Sequence, residues 1–190
     1  MEPYLSDVAL FLLDTIVGIY ILLVLLRFLL QLARADFYNP ISQFIVRATN
    51  PPLVRLRRFI PGLLRVDLAA LALLIAMEAL RISLTAVLLG HSPRLAGVIF
   101  LSLGELVKLA THIVIFCIFV RALLSWFSNG RHRPVMRLLS SFTDPVLKPV
   151  QRIIPATGGI DLSPLIVFFV LMIVLKLLVQ PLMDLGSFLV

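Results

Sequence analysis

The sequence predicts an all-α integral membrane protein with four transmembrane helices as two parallel tandem repeats, each with a short amphipathic interfacial helix between its two spans. Three observations predict this fold class. The 190 residues are 61% hydrophobic and only 14% charged, with a mean hydropathy of +1.08, and a soluble fold of this size could not bury so much apolar surface. Four apolar stretches have the length of a bilayer crossing, and polar residues recur at one constant spacing.

The apolar stretches cover residues 5–31, 68–89, 95–127 and 162–189. A bilayer core of about 30 Å takes roughly 20 helical residues to cross, so each stretch is long enough. Strand-like alternation is absent, which favours a helical bundle over a barrel. Glu2 and Asp7, rather than basic residues, lie at the N-terminal end of the first stretch, so we expect it to be a retained span and not a signal peptide.

The second half of the sequence matches the first half at a constant separation of 94 positions. The matched pairs include Arg27 and Arg121, Pro40 and Pro134, Thr49 and Thr143, Pro51 and Pro145, Arg58 and Arg152, and Asp67 and Asp161. Such polar matches indicate a tandem duplication, with repeat 1 over residues 1–92 and repeat 2 over 93–190. Each repeat crosses the membrane twice, so the two copies are expected to be parallel, about a pseudo-two-fold axis along the membrane normal.

Basic residues are concentrated in the segment that connects the two spans of each repeat. They are Arg34, Arg47, Arg55, Arg57, Arg58 and Arg65 in the first connector, and Arg131, Arg133, Arg137, Lys148 and Arg152 in the second. The opposite side carries Arg94 alone. By the positive-inside rule we expect a multi-pass protein of the bacterial inner membrane, with cytoplasmic connectors and periplasmic termini.

Each connector contains an Asn-Pro or Asp-Pro phrase, at Asn50-Pro51 and Asp144-Pro145. The side-chain oxygen can cap a helix and proline suits its first position, so a short helix is predicted to begin there and to end near Pro61 and Pro155. In repeat 1 its apolar face would be formed by Leu53, Leu56, Phe59 and Ile60. The helix could be a connector docked on the bundle or a lipid sensor in the interface.

Two further features lie at the ends of these connectors. The basic side chains form a collar that is expected to bind anionic lipid headgroups; its members are Arg55, Arg57, Arg58, Lys148 and Arg152. Asp67 and Asp161 directly precede an apolar stretch, and we interpret them as N-caps of the transmembrane helices.

Several phrases of repeat 2 resemble the repeat of the YggT family of membrane proteins, also called YlmG-like. They are RALLSWF at 121–127, TDPVLKP at 143–149, RIIP at 152–155 and GIDLSP at 159–164. Repeat 1 departs from them: 27–32 reads RFLLQL, Arg55 replaces the second proline, and Ala69-Ala70 replace Ser-Pro. The resemblance implies, for bacterial members, osmotic or envelope stress, or cell division and nucleoid organisation. For plastid relatives it implies assembly of a membrane cytochrome.

Six ionisable residues lie inside the predicted spans: Asp14, Glu78, Arg81, Glu105, Lys108 and Lys176. A charge at the bilayer centre costs about 2.5–3.5 kcal/mol on insertion scales, so these side chains are expected to form one polar layer inside the bundle. Glu78 with Arg81 and Glu105 with Lys108 have the i, i+3 spacing of helix-face pairs. The layer could hold the helices in register or line a hydrated path, and its near balance of charge favours the first.

Arg27 and Arg121 lie near the predicted cytoplasmic ends of their spans. Their long side chains could reach lipid headgroups, or they could pair with Asp67 and Asp161 at the same boundary. The sequence offers both alternatives.

No motif for metal, nucleotide or acyl-transfer chemistry occurs, and His91, His112 and His132 are far apart. We therefore expect no enzyme activity, cofactor or metal. The first hypothesis is a membrane protein that assembles with or organises other membrane proteins in envelope or osmotic stress. The alternative is a small oligomeric channel or transporter for an ion or osmolyte. Binding of nucleic acid is not expected, because the arginines lie so close to the helix ends.

Overall fold

The computed structural model describes residues 2–62, 66–127, 134–154 and 161–189. Among the features predicted above, Arg65, Arg131, His132, Arg133 and Pro155 lie outside these ranges. The helices are α1 (Glu2–Leu32), α2 (Pro40–Leu56), α3 (Leu68–Leu88), α4 (Leu95–Phe127), α5 (Pro134–Ile153), α6 (Ser163–Val174) and α7 (Gln180–Leu189), with one π-helical turn (Leu175–Val179) between α6 and α7.

The four apolar helices predicted from the sequence are confirmed. Helices long and apolar enough to cross a membrane cover Asp7–Leu32, Leu68–Leu88, Leu95–Ser125 and Ser163–Leu189. The last of these contains the π-helical turn, which ends two residues before Pro181. A proline ring clashes with the carbonyl four residues earlier, and the wider turn gives it room without ending the helix.

The bundle has its core between α1, α3 and α4, where Ile21, Val24, Leu74 and Leu106 are buried in one cluster. Helix α4 also packs closely along α7. A Cβ atom added at Gly186 would lie 2.8 Å from the backbone nitrogen of Leu101. Because real Cβ atoms do not approach a backbone atom so closely, glycine is what allows these two helices to touch.

Helices α2 and α5 lie in the connectors, and both begin earlier than the sequence predicts. Helix α2 begins at Pro40, where Oδ1 of Asn39 accepts a hydrogen bond from the amide of Ile41 at 3.0 Å. Asn50-Pro51 lies well inside α2, and Asp144-Pro145 lies well inside α5. The predicted starts were therefore wrong, because the side chains of Asn50 and Asp144 are bound by arginines of another helix and do not cap their own.

The apolar face predicted for the first connector is also corrected. Helix α2 ends at Leu56, so Phe59 lies beyond it and is 83% exposed. The buried stripe lies earlier in the helix and recurs once per helical turn. It consists of Ser42, Ile45, Thr49 and Leu53 in α2, and of Leu138, Phe142, Thr143 and Leu147 in α5.

Candidate functional site

Arg27 joins the first transmembrane helix to the first connector. Its Nη1 donates to Oγ1 of Thr49 at 2.9 Å and to Oδ1 of Asn50 at 2.8 Å. The side chain is only 6% exposed. Oγ1 of Thr49 in turn donates to the carbonyl of Ile45 at 2.7 Å, so the hydroxyl is held in position to accept from the arginine. We call Arg27, Thr49 and Asn50 the first clasp.

The same arrangement recurs in repeat 2 at the equivalent residues. Nη1 of Arg121 donates to Oγ1 of Thr143 at 2.7 Å and to Oδ1 of Asp144 at 2.6 Å. Lys148 approaches the other oxygen of Asp144 at 2.9 Å. We call Arg121, Thr143 and Asp144 the second clasp. It holds α4 against α5 as the first clasp holds α1 against α2.

The clasps give the two arginines partners that neither alternative from the sequence named. Arg27 is buried, and neither arginine forms a salt bridge with Asp67 or Asp161 among the described residues, so the predicted pairing is not found there. The acids have other partners. Arg57 forms the ion pair with Asp67, and Nε2 of Gln151 donates to Oδ2 of Asp161 at 2.8 Å.

Asp67 and Asp161 have related positions at the start of the next span. Oδ1 of Asp67 accepts from the amide of Ala70 at 3.2 Å, as the N-cap of α3. Oδ1 of Asp161 accepts from the amide of Ser163 at 2.9 Å, although Leu162 is the cap residue of α6. Burial alone would raise the pKa of Asp67, but the hydrogen bonds from Arg57 and Ala70 outweigh it and lower the pKa. The carboxylate is therefore charged at neutral pH.

Burial opposes ionisation of Asp144 and Asp161 as well, and hydrogen bonds prevail again. Those from Lys148 and Arg121 lower the pKa of Asp144. Those from Ser163 and Gln151 lower the pKa of Asp161. Asp144 and Asp161 are thus both anions at neutral pH.

The charged groups inside the spans form two sets at two cavities, which the Glu105–Lys108 ion pair connects. In the first set, Arg81 of α3 binds Glu78 on its own helix and Asp14 of α1, the latter at 3.1 Å. Glu78 is 3% exposed. Asp14 and Arg81, with Glu105 of α4, line one cavity of about 520 Å³. Its acidic and basic groups are close enough to neutralise one another.

The second set lines a groove between α4 and the last span. The α4–α7 groove has a volume of about 330 Å³ and is lined by Lys108, His112, Lys176, Gln180 and Asp184, among others. Lys108 is linked to the first set through Glu105, whose carboxylate lies at 3.2 Å. The ammonium of Lys176 contacts the neutral side chain of Gln180 at 3.3 Å. Among the described residues, no group of three or more His, Cys, Asp or Glu could hold a metal ion.

The two connectors meet each other where they begin. Nδ2 of Asn39 donates to the carbonyl of Pro134 at 2.6 Å, so the N-terminus of α2 touches that of α5. The backbone amide of Asp36 also donates to Oγ of Ser141 at 3.3 Å. These contacts between the repeats were not anticipated from the sequence. Thr49 and Thr143 were noted only as repeat matches, although their constant distance of 22 residues from Arg27 and Arg121 was a signal for the clasps.

The fold and the clasps define a class of protein: a multi-pass helical membrane protein made of two tandem copies of a span–connector–span unit. The chain belongs to the CCB3/YggT family, which matches residues 6–88 and 100–182. Each limit of the second match lies 94 residues after that of the first, which confirms the tandem repeat and its offset. The family resemblance seen in the sequence is confirmed as well.

Similar proteins occur in several bacteria. The chain is 38% identical over 178 residues to the "Uncharacterized protein PA0392" of Pseudomonas aeruginosa, covering 93% of this chain and 90% of that one. It is 42% identical over 160 residues to the "Uncharacterized protein in proC 3'region" of Vibrio alginolyticus, covering 83% and 86%. It is 36% identical over 166 residues to the "Uncharacterized protein YggT" of Escherichia coli, covering 86% and 85%. No solved structure matches it significantly.

Proposed function

We propose that this is a non-enzymatic membrane protein that associates with other membrane proteins through the α4–α7 groove and organises or helps to assemble them. The observation that carries the proposal is a polar stripe on the last span. Lys176, Gln180 and Asp184 follow one another at four-residue intervals, on one helix face, and all three are exposed. Lys108 and His112 of α4 lie across the groove from them.

The position of Lys176 makes this stripe costly in a bilayer. It lies 13 residues after the start of α6 at Ser163, which corresponds to roughly 20 Å along the helix. At that depth an uncompensated lysine costs about 2.5–3.5 kcal/mol. A second helix with acidic or hydrogen-bonding side chains would neutralise the charge, and polar contacts of this kind associate transmembrane helices. A second copy of this chain could supply such a helix, as a homo-oligomer.

The setting we propose is the bacterial inner membrane, with both connectors in the cytoplasm and both termini in the periplasm. The excess of arginine in the connectors supports this orientation through the positive-inside rule. The basic collar would then face anionic lipid headgroups. A role in envelope or osmotic stress is supported by family resemblance alone.

A channel or transporter is the second candidate. The observation that favours it is the pair of polar cavities, because the Asp14–Arg81 cavity and the α4–α7 groove both lie within the spans. They are linked by the Glu105–Lys108 pair. If water entered both cavities, an oligomer of this chain would contain a hydrated path lined by acidic and basic groups.

One pair of measurements tests the two candidates together. Cross-linking from a cysteine placed at Leu177, next to the stripe, is compared in native membranes with cross-linking from a cysteine at Phe119, an exposed position on α4. The proposal predicts a defined product from Leu177 that disappears in Lys176→Leu with Gln180→Leu. Equal products from both positions would refute it. Solute flux in proteoliposomes that disappears in Lys108→Ala would instead support the transporter.

A further inference from the structure

The two repeats have equivalent polar side chains at the connector end of their spans, but these side chains differ in charge. In repeat 1 a cavity of about 580 Å³ lies at the connector end of the spans, lined by Arg27, Arg57 and Asp67 together with Gln31, Phe37 and Val66. In repeat 2 the equivalent of Arg57 is Gln151. Gln151 binds Asp161 as Arg57 binds Asp67. The hydrogen bond is thus kept while the charge is lost.

The second clasp also contains charges that the first clasp lacks, and these cancel each other. Asn50 of repeat 1 corresponds to Asp144 of repeat 2, and Val54 corresponds to Lys148. Among the described residues of repeat 1, Arg27, Arg57 and Asp67 leave one positive charge. Their equivalents Arg121, Gln151 and Asp161 leave none, and the added charges of Asp144 and Lys148 cancel in their ion pair.

We propose that the cavity of repeat 1 binds a phosphate group, either of a lipid headgroup or of a free phosphate, and that the equivalent place in repeat 2 does not. The guanidinium of Arg27 is held in place by neutral partners, Thr49 and Asn50, so the first clasp does not cancel its charge. Arg57 is 38% exposed and can share its donors between Asp67 and a ligand. Arginine is well suited to phosphate because its planar donors match the oxygens.

The apolar walls favour an amphiphile as the source of that phosphate. Phe37 and Val66 line the cavity beside the arginines, and Phe37 is 40% exposed. A headgroup at Arg57 could thus lie with the start of its acyl chains against apolar side chains. The site differs from the general attraction of the collar, since it depends on one arginine pair. It is also separate from the α4–α7 groove, so either proposal can fail without the other.

The test compares anionic and neutral ligands on purified full-length protein in detergent. Bound lipid is counted by native mass spectrometry, and thermal stabilisation is measured in parallel, with phosphatidylglycerol, phosphatidylcholine or inorganic phosphate added. We expect one tightly bound phosphatidylglycerol per chain, with phosphatidylcholine much weaker. Stabilisation by inorganic phosphate as strong as by phosphatidylglycerol would assign the site to a free phosphate. An equal response to all three ligands would overturn the proposal.

Matched variants locate the site. Arg57→Gln copies the natural pair of repeat 2, so it should keep its hydrogen bond to Asp67 and fold normally. It should weaken binding about fivefold to tenfold, as expected for one surface arginine. Arg58→Gln, the exposed neighbour outside the cavity, should leave affinity unchanged. If the two variants weaken binding equally, the lipid is held by the collar as a whole and the proposal is wrong.

A gain-of-function variant provides the opposite check. Gln151→Arg combined with Asp144→Asn gives repeat 2 the charges of repeat 1 at both positions. The double variant should bind a second phosphatidylglycerol with wild-type stability. A stoichiometry that stays at one, in a protein whose circular dichroism and melting temperature are unchanged, would show that charge at these positions does not determine binding.

Discussion

The two arginine clasps predict a difference in stability between variants of equivalent residues. In Arg27→Met the side chain of Asn50 loses its donor, while the hydroxyl of Thr49 retains its bonds to the carbonyls of Ile45 and Val46. Each lost hydrogen bond to a charged group is worth about 1.5–3 kcal/mol. Because Arg27 is 6% exposed, solvent cannot replace it well. We expect Arg27→Met to lower the free energy of unfolding by about 3–5 kcal/mol.

The corresponding change in repeat 2 should cost less. In Arg121→Met the carboxylate of Asp144 keeps Lys148 at 2.9 Å, and Arg121 is 24% exposed. Water and the lysine therefore compensate part of the loss, and we expect a cost of about 1–3 kcal/mol. Arg55→Met serves as the control. Arg55 is exposed on the same connector as the first clasp, and its replacement should change stability by less than about 0.5 kcal/mol.

The assay is equilibrium unfolding in mixed micelles of dodecylmaltoside and increasing sodium dodecyl sulfate, followed by circular dichroism and tryptophan fluorescence. The expected order of destabilisation is Arg27→Met, then Arg121→Met, then Arg55→Met. If Arg121→Met proves the more harmful variant, the argument from burial is wrong. If neither arginine variant differs from the control, the clasps do not hold the connectors to the bundle.

Three further predictions concern the contact between α4 and α7, the ion pairs of Arg81, and the carboxylate of Asp67. Gly186→Ala adds a Cβ at 2.8 Å from the backbone of Leu101 and should cost about 1–3 kcal/mol, whereas Gly18→Ala, with nothing within 4 Å, should not lower the melting temperature. Glu78→Gln weakens a buried partner of Arg81 and should destabilise more than Asp14→Asn, because Asp14 is 51% exposed. The lowered pKa of Asp67 means that its stabilisation is complete above its unfolded pKa of about 3.9 and is lost as pH falls through the folded pKa. Melting temperatures should thus be level from pH 7 to 5 and fall below about pH 4, less steeply in Asp67→Asn.

The spans were predicted well because the bilayer requires every residue of a crossing helix to be largely apolar and sets the number of residues needed. Both requirements can be read directly from the sequence. Helix α4 was predicted with the bounds that the structure has. The connector starts could not be predicted in the same way. Asn39-Pro40 and Asn50-Pro51 offer the same local chemistry for a cap, and the choice depends on Arg27, which is distant in sequence and binds the second of them. Local pattern contains no information about that partner.

The charged side chains show the same limit. Pairing of Glu78 with Arg81 and of Glu105 with Lys108 follows from helical spacing, and the structure contains both pairs. The Arg81–Asp14 contact depends instead on how α1 and α3 pack. The polar stripe of Lys176, Gln180 and Asp184 was visible as a four-residue spacing, but its exposure depends on which side of the last span α4 covers.

Comparing the two repeats distinguishes the contacts that both copies share from the residues that differ between them. The arginine, the threonine and the hydrogen bond to the boundary aspartate occur in both repeats with similar distances, so they are needed to fold a connector against its spans. The charges at Asn50 and Asp144, and at Arg57 and Gln151, differ although the hydrogen bonds at these positions are retained. Packing alone gives no reason for such a difference, because either residue can make the bond. We therefore expect that the extra positive charge of repeat 1 serves to bind a ligand and is not required by the fold.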